Sequence, residues 1–333
     1  MHSGLVAAIL IQSQSCKLRG LVRLFAQVKG WMTLPLPKVA LTIVLAFIIL
    51  IPATTNAQSP RDYLNTPVNA ASFFLDFVNT NTETSTESDL SLPNNVAVGR
   101  HGVATILWSF PLFNRYGGVS VTGGYTSVNF TGPQGKISSS GFSDPSVTFH
   151  ANIFGAPALR KDQYAEAIPK SFSSFHLTVS APLGSYDRNS PLNTGANRWS
   201  FNPIVNLSIT PDTGVSWFDV YAGARLFTNN NAFQGNNQLS QNPLVTFSGF
   251  YSHNIGMRWY AGIGVSYDNG GETYINNIPQ RNAANGFRPG VSLSRARTIW
   301  KYRLTLRYEL TGTTPRAAPT NSLLSIRLSG PLP

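Results

Sequence analysis

Between Ser174 and Ala181 the side chains alternate. Phe175, Leu177, Val179 and Ala181 fall on one face of an extended chain, and Ser174, His176, Thr178 and Ser180 fall on the other. The same period of two runs through Met257–Asp268, where Met257, Trp259, Ala261, Ile263, Val265 and Tyr267 oppose Arg258, Tyr260, Gly262, Gly264, Ser266 and Asp268. It returns in 302–310, where Tyr302, Leu304, Leu306, Tyr308 and Leu310 oppose Arg303, Thr305, Arg307 and Glu309. Strict alternation marks a strand with two unlike faces. Applied along the chain, it predicts twelve strands, near 70–80, 96–113, 117–130, 143–154, 173–182, 199–210, 214–228, 243–253, 256–268, 288–296, 300–311 and 321–329. The pattern blurs only in 96–113, where Ile106, Trp108 and Phe110 share one phase and Val103 and Leu107 take the other.

One apolar and one polar face fits a soluble sandwich with the apolar face inward. It also fits a membrane barrel with that face turned to lipid. Three features favour the barrel. Several runs reach the 9–11 residues that a tilted membrane strand needs. Aromatics frame the apolar phase: Trp199 opens one run, Tyr267 closes another, and Tyr302 and Tyr308 bracket a third, as interfacial girdles do. The connectors also alternate. Long polar segments follow the odd-numbered strands, among them "GPQGKISSSGF", Gly184 to Arg198, "NNNAFQGNNQLSQN" and the ends "NTETSTESDLSLPNN" and "GTTPRAAPT". Short ones, "NRYG", "PDT", "NI" and "ART", follow strands two, six, eight and ten. The exception is the segment after the fourth strand, which predicts a small periplasmic helix around Leu159 to Ala167. The fold class expected is therefore all-β, a single antiparallel transmembrane β-barrel of about 12 strands with long loops outside and short turns inside.

Composition agrees. Charged residues make up 12% of the chain, about half the share usual in soluble domains, while Gly and Pro are abundant. The net charge of +11 is misleading, because Lys17, Arg19, Arg23, Lys29 and Lys38 precede residue 58 and no acid does. The remainder carries 20 bases against 14 acids, a net of +6, without a dense basic stripe, so nucleic acid is not an expected partner. The sole cysteine, Cys16, lies in the same N-terminal region, which leaves residues 58–333 with neither a disulfide nor a Cys-ligated metal.

That N-terminal region reads as an export signal. Lys38 supplies the positive end, Val39 to Ile51 the apolar run, and Thr55-Asn56-Ala57 the small residues before a cut. Thirteen residues are short for a transmembrane helix. Residues 1–57 are assigned as N-terminal extension and cleaved signal peptide, with Met32 as the favoured start, and 58–333 as the barrel. The location expected is the outer membrane of a Gram-negative bacterium, with membrane lipid and lipopolysaccharide as surroundings.

Arg225, Arg258, Arg303, Arg307 and Arg327 fall on the polar phase, as do Asp76, Asp219, Asp268 and Glu309. They would line the lumen, either biasing solute charge or pairing among themselves. His150, His176 and His253 with Ser146 and Ser174 raise a lipid-modifying enzyme as an alternative, but no spacing assembles a triad. "GPQGK" lacks the Ser or Thr of a phosphate loop, and "GIGVSY" lacks the last Gly of a dinucleotide motif. No catalytic residue, metal site or cofactor is expected.

Three elements in order, "GFSDPSVTF" (141–149), "SAPLGSYD" (180–187) and "NTGANRWSFNP" (193–203), resemble those of the outer-membrane phenol-degradation meta-pathway transporter family. The resemblance implies a single-chain barrel that passes small organic compounds, often aromatic or apolar. It assigns structural roles to Asp144, Pro182, Gly184, Asp187, Gly195, Arg198 and Trp199 at the ends of strands four to six. The chain departs from such barrels in its last strand, which offers Leu328 and then Pro331 and Pro333 where a terminal aromatic is usual. The expected function is passive uptake through the lumen. A closed structural or adhesive barrel is the rival, and the oligomeric state is left open. Amino-terminal sequencing of protein taken from the outer-membrane fraction should begin at Gln58; a chain that still contains Lys38 would refute the leader assignment.

Overall fold

Alternation becomes geometry in the strand Ser216–Phe227. Phe218 and Val220 are 46% and 53% exposed, while the intervening Asp219 and Tyr221 are 0% exposed. Polar side chains go inward and apolar ones outward, the reverse of a water-soluble sheet. The same inversion puts Trp108, Val121, Ile263, Val265 and Val291 outside and His101, Ser120, Asn206, Ser252 and Glu309 inside.

The computed structural model describes residues 59–84, 95–132, 135–299, 302–311 and 320–332. The expected leader and the tips of the first and eleventh predicted gaps lie outside these residues. The strands are β1 (Ala70–Thr84), β2 (Asn95–Leu112), β3 (Arg115–Gly132), β4 (Gly135–Phe142), β5 (Ser146–Gly155), β6 (Phe172–Ser180), β7 (Ser200–Ile209) and β8 (Ser216–Phe227). Then follow β9 (Asn230–Phe233), β10 (Asn237–Gln241), β11 (Leu244–Ile255), β12 (Trp259–Gly270), β13 (Thr273–Ile275) and β14 (Ile278–Pro279). The last three are β15 (Ala284–Ile299), β16 (Tyr302–Thr311) and β17 (Thr320–Pro331). One short helix, α1 (Lys161–Glu166), falls inside the helix predicted after the fourth strand.

Every barrel strand pairs antiparallel with its sequence neighbours, and β17 pairs back onto β1 from Ser72↔Pro331 to Glu83↔Thr320, closing the ring. With β4 and β5 as two halves of one strand, the ring has the twelve strands predicted. Leu328 sits opposite Leu75 in an unbroken ladder, so the missing terminal aromatic leaves the register of the last strand intact. Closure satisfies the backbone all round, the condition for crossing hydrocarbon. Short turns share one end of the barrel with α1, the start of β1 and the end of β17; this is the periplasmic end in barrels of this type. The β2–β3 turn is a two-residue hairpin, Phe113–Asn114, with φ of 49° and 61°, the twist that suits adjoining strands.

Three predicted loops are more ordered than the sequence implied. "GPQGKISSSGF" is mostly β4, a continuation of the β3 hairpin. The gaps after the seventh and ninth predicted strands pair with each other as a four-stranded sheet, in the order β14-β13-β10-β9. All three are rich in Ser or Asn, so period-two reading passes over them.

The fourth strand breaks at Ser143-Asp144-Pro145, three residues opposite the two glycines Gly123 and Gly124 of β3. The extra residue makes a bulge, where a proline is tolerated. The loop 181–199 then folds against β4. Ser185 N–H donates to Phe142 O at 2.8 Å, and Phe142 N–H donates to Ser185 Oγ at 2.9 Å. The Asp144 carboxylate ties it down, with Oδ1 accepting from Gly184 N–H at 2.8 Å and Oδ2 from Ala196 N–H at 2.7 Å. Gly184 and Gly195 touch backbone to backbone, and a Cβ on Gly195 would stand 2.8 Å from the carbonyl carbon of Gly184. Pro182 is the centre of a three-residue turn closed by Leu183 N–H to Ala181 O at 2.8 Å. Asp187 accepts from Asn189 N–H, Arg198 donates to Gln241 Oε1 of β10, and half-exposed Trp199 exchanges backbone and side-chain bonds with Thr228. These residues of the three sequence elements form one clamp that holds a loop where a strand would otherwise continue.

Two substitutions test this architecture. Val265→Arg places a charge on the lipid face and should cost about 2–4 kcal/mol in urea unfolding from lipid vesicles; unchanged stability would mean that the face is not in hydrocarbon. Asp144→Ala leaves two loop N–H groups without their acceptor, a loss of roughly 2–3 kcal/mol. Trypsin should then cut at Arg188 or Arg198 in folded protein that otherwise resists it, and equal resistance would show that the carboxylate does not hold the loop.

Candidate functional site

The lumen is occupied by the chain's own segment preceding β1. Residues 60–63 form a turn, "PRDY", that rises into the barrel, and two prolines, Pro60 and Pro67, bracket the insert. Ser59 is 4% exposed and accepts a hydrogen bond from Tyr221 O–H at 3.2 Å. Pro60 lies flat on β12 because Gly262 has no side chain; a Cβ there would be 2.8 Å from the proline ring. Asp62 closes the turn by accepting from Ser59 N–H at 2.7 Å. Its other oxygen takes Arg307 Nη1 at 2.9 Å, and Glu309 reaches the same guanidinium at 3.5 Å.

Arg61 is the most extensively bonded residue of the plug. Its N–H donates to Asp219 Oδ2 at 3.0 Å, Nε to Ser252 Oγ at 2.8 Å, Nη1 to Asn254 Oδ1 at 2.6 Å and Nη2 to Val215 O at 3.1 Å. The guanidinium also lies 4.5 Å over the ring of Tyr260. Burial pulls its pKa below the usual arginine value, against the opposing influence of Tyr260 and Asp219, and it remains a cation. Tyr63 stacks on His176 at 3.9 Å and meets Tyr221 edge-on at 5.5 Å. Burial first, and Asp62 next, hold its phenol above the ordinary range, so it stays neutral. Lower down, Tyr164 of α1 donates to Asn65 O at 2.6 Å, and Val68 N–H donates to Leu159 O at 2.8 Å. The helix thus braces the foot of the plug.

The wall facing the plug carries a chain of hydrogen bonds whose direction can be deduced. Ser208 O–H donates to Asp219 Oδ1 at 2.6 Å and so accepts from Asn206 Nδ2 at 2.8 Å. Asn206 Oδ1 takes the hydroxyl proton of Ser174. Ser174 Oγ must then accept from His176 Nε2 at 2.7 Å, which leaves His176 Nδ1 as acceptor. His150 Nδ1 donates to it at 2.8 Å, and His150 Nε2 accepts from Ser120 Oγ at 3.0 Å. Six side chains on β3, β5, β6 and β7 therefore point their donors toward Asp219 of β8, whose other oxygen binds the plug.

The predicted polar-phase residues resolve into levels. Asp219 stands in the wall against the plug, bonded to the Arg61 N–H. Asp268 is near the outer end, ion-paired with Arg288 and accepting from Thr246 Oγ1 at 2.7 Å. Arg225 faces inward on that side, where the charges of Asp268 and Arg198 reach it. Arg307 and Glu309 clasp the plug, and Arg327 pairs with Asp76 at 2.6 Å. Arg258 and Arg303 face a vestibule at the periplasmic mouth. This cavity has a volume of about 550 Å³ and lies between the plug, β1, the β11–β12 turn and β15–β17. Beside Pro60 and Phe250 the free space shrinks to about 20 Å³, roughly room for one water. His150, His176 and Ser174 stand inside the wall, away from lipid. Sequence reading missed Arg61, Asp62 and Tyr63. Their only signal is a charged aromatic cluster bracketed by Pro60 and Pro67 directly after the expected cut.

Among solved structures, an outer membrane channel from Pseudomonas putida F1 is similar over 83% of this chain and 100% of its own, with TM-score 0.69 and 18% identity. The β domain of the Bordetella autotransporter BrkA covers 79% of this chain and 100% of its own at TM-score 0.47 and 10% identity. The translocator domain of the autotransporter NalP from Neisseria meningitidis covers 81% of this chain and 90% of its own at TM-score 0.46 and 9% identity. No curated protein matches. The family model described as "Putative MetA-pathway of phenol degradation" matches residues 65–328. That match runs from the foot of the plug to Leu328 of β17, nearly the whole barrel, and the chain belongs to this family.

Proposed function

We propose that this barrel is an outer-membrane channel for the passive uptake of small organic compounds, aromatic or apolar, and that the segment 59–68 regulates the path. The observation that carries the reading is the vestibule. A cavity of about 550 Å³ with both aromatic and cationic walls opens directly beneath a plug that no covalent crosslink fixes in place. A barrel whose only task was structural could fill that space with side chains, as narrow barrels do. Membership of a phenol-degradation family points the solute toward small aromatics. The placement of His176 and Ser174 in the lumen supports a channel over a lipid-modifying enzyme, because acyl chains do not reach them.

The position of Ser59 also supports export with removal of the leader. A chain continuing upstream from a residue 4% exposed inside the barrel would have to run through the lumen itself. Cleavage after Ala57 leaves only Gln58 ahead of it. Lipid and lipopolysaccharide would surround the outward face.

The close fit of the plug's Pro60 beside Gly262 and Phe250 favours a second reading, a closed structural barrel. Planar-bilayer recordings separate the two. The intact barrel should give small steps, and deleting residues 59–67 should raise the conductance severalfold. Absence of steps from both proteins would leave the closed barrel as the better description.

A further inference from the structure

The vestibule is unevenly charged. Among the described residues five guanidinium groups line it, and Asp76 is the only carboxylate that does. Asp76 is used by Arg327, and Asp62 and Glu309 are used by Arg307. The Arg61 guanidinium bonds only to neutral oxygens. Among the described residues the guanidinium groups of Arg258 and Arg303 have neither an ion pair nor a side-chain hydrogen bond, and both are exposed to the cavity. Cations without counter-charges, held in a concave site with low-dielectric walls, attract an anion and fix it with charge-assisted bonds.

The same walls offer aromatic faces, Phe74 from β1, Tyr260 from β12 and Tyr164 from α1. The guanidinium groups of Arg327 and Arg61 already lie over Phe74 and Tyr260, at 5.5 and 4.5 Å. A site of this kind suits a flat ring that carries a negative group. Phospholipid headgroups are a poor alternative, because a different set of arginines stands on the lipid side. Arg295 and Arg297 share the outward phase of Leu293, and Arg295 stacks on Trp259 at 5.1 Å, as interfacial residues do. Arg258 and Arg303 lie on the inward phase.

We propose that the periplasmic vestibule is a binding station for small aromatic carboxylates, gripped by Arg258 and Arg303 with the ring against Phe74 and Tyr260. This rests on the channel reading and deepens it, since such a station would select anionic solutes as they leave the barrel.

The test uses the detergent-solubilised mature barrel at low ionic strength. Titrations with benzoate, benzyl alcohol and inorganic phosphate are followed by calorimetry and by Trp fluorescence. Benzoate should bind saturably and roughly tenfold or more tighter than either comparator. The double variant Arg258→Gln, Arg303→Gln should lose roughly tenfold or more in benzoate affinity while keeping the heat-modifiable gel migration of a folded barrel. Benzyl alcohol binding as tightly as benzoate would overturn the role of the charge. Phosphate binding as tightly would overturn the aromatic class. Undiminished binding in the double variant would overturn the site. Flux of both benzoate and benzyl alcohol into proteoliposomes without selective binding would refute the station and leave the channel standing. Selective binding without flux would support the station and refute the channel.

Discussion

Hydrocarbon gives a backbone amide nothing to bond to, so a chain that crosses it as strands must pair every one of them with another strand. The rest of this structure follows from that constraint. It demands a closed ring, supplied by the β1–β17 ladder, and it allows irregular backbone only beyond the lipid or inside the wall. The bulge at Ser143-Asp144-Pro145 and the loop that replaces a strand beside β4 illustrate the rule. There the ladder ends, and its unpaired groups are taken by a carboxylate, a hydroxyl and the loop's own backbone.

With apolar side chains committed to lipid, the interior inherits everything polar, and it must settle those charges without bulk water to screen them. It does so unequally. In the wall against the plug, Asp219 collects a one-way series of hydrogen bonds and passes its remaining oxygen to the Arg61 N–H. Near the outer end, Asp268 is matched by Arg288. At the periplasmic mouth the matching fails, and positive charge is left over around an open cavity. The gradient from satisfied to unsatisfied groups marks where a mobile partner has room to act.

The wall was legible from sequence because burial in a barrel is local: whether Phe218 faces lipid and Asp219 faces the lumen is decided by parity alone. Twelve strands, their phase and the turn lengths follow from that regularity, and the helix after the fourth strand was read from the one connector that broke it. The Ser-rich strand β4 and the small sheet formed by β9, β10, β13 and β14 escaped because their neighbours are other polar segments. The clamp was visible only as separate turn-forming residues; that Asp144 reaches both Gly184 and Ala196 depends on a fold-back that no periodicity encodes. The plug escaped most completely. Arg61 and Tyr63 take their meaning from Asp219, Ser252 and His176, more than a hundred positions away.

The plug enters through the periplasmic mouth, and none of its residues belongs to the ring's ladder. Pulling it out would break the bonds of Arg61, Asp62 and Tyr63 and leave every strand pair intact. Occupancy of the lumen and integrity of the wall are therefore separate thermodynamic quantities. The cork can be loosened by substitutions worth one or two hydrogen bonds, each about 1 kcal/mol net, while the vessel keeps its full resistance to unfolding.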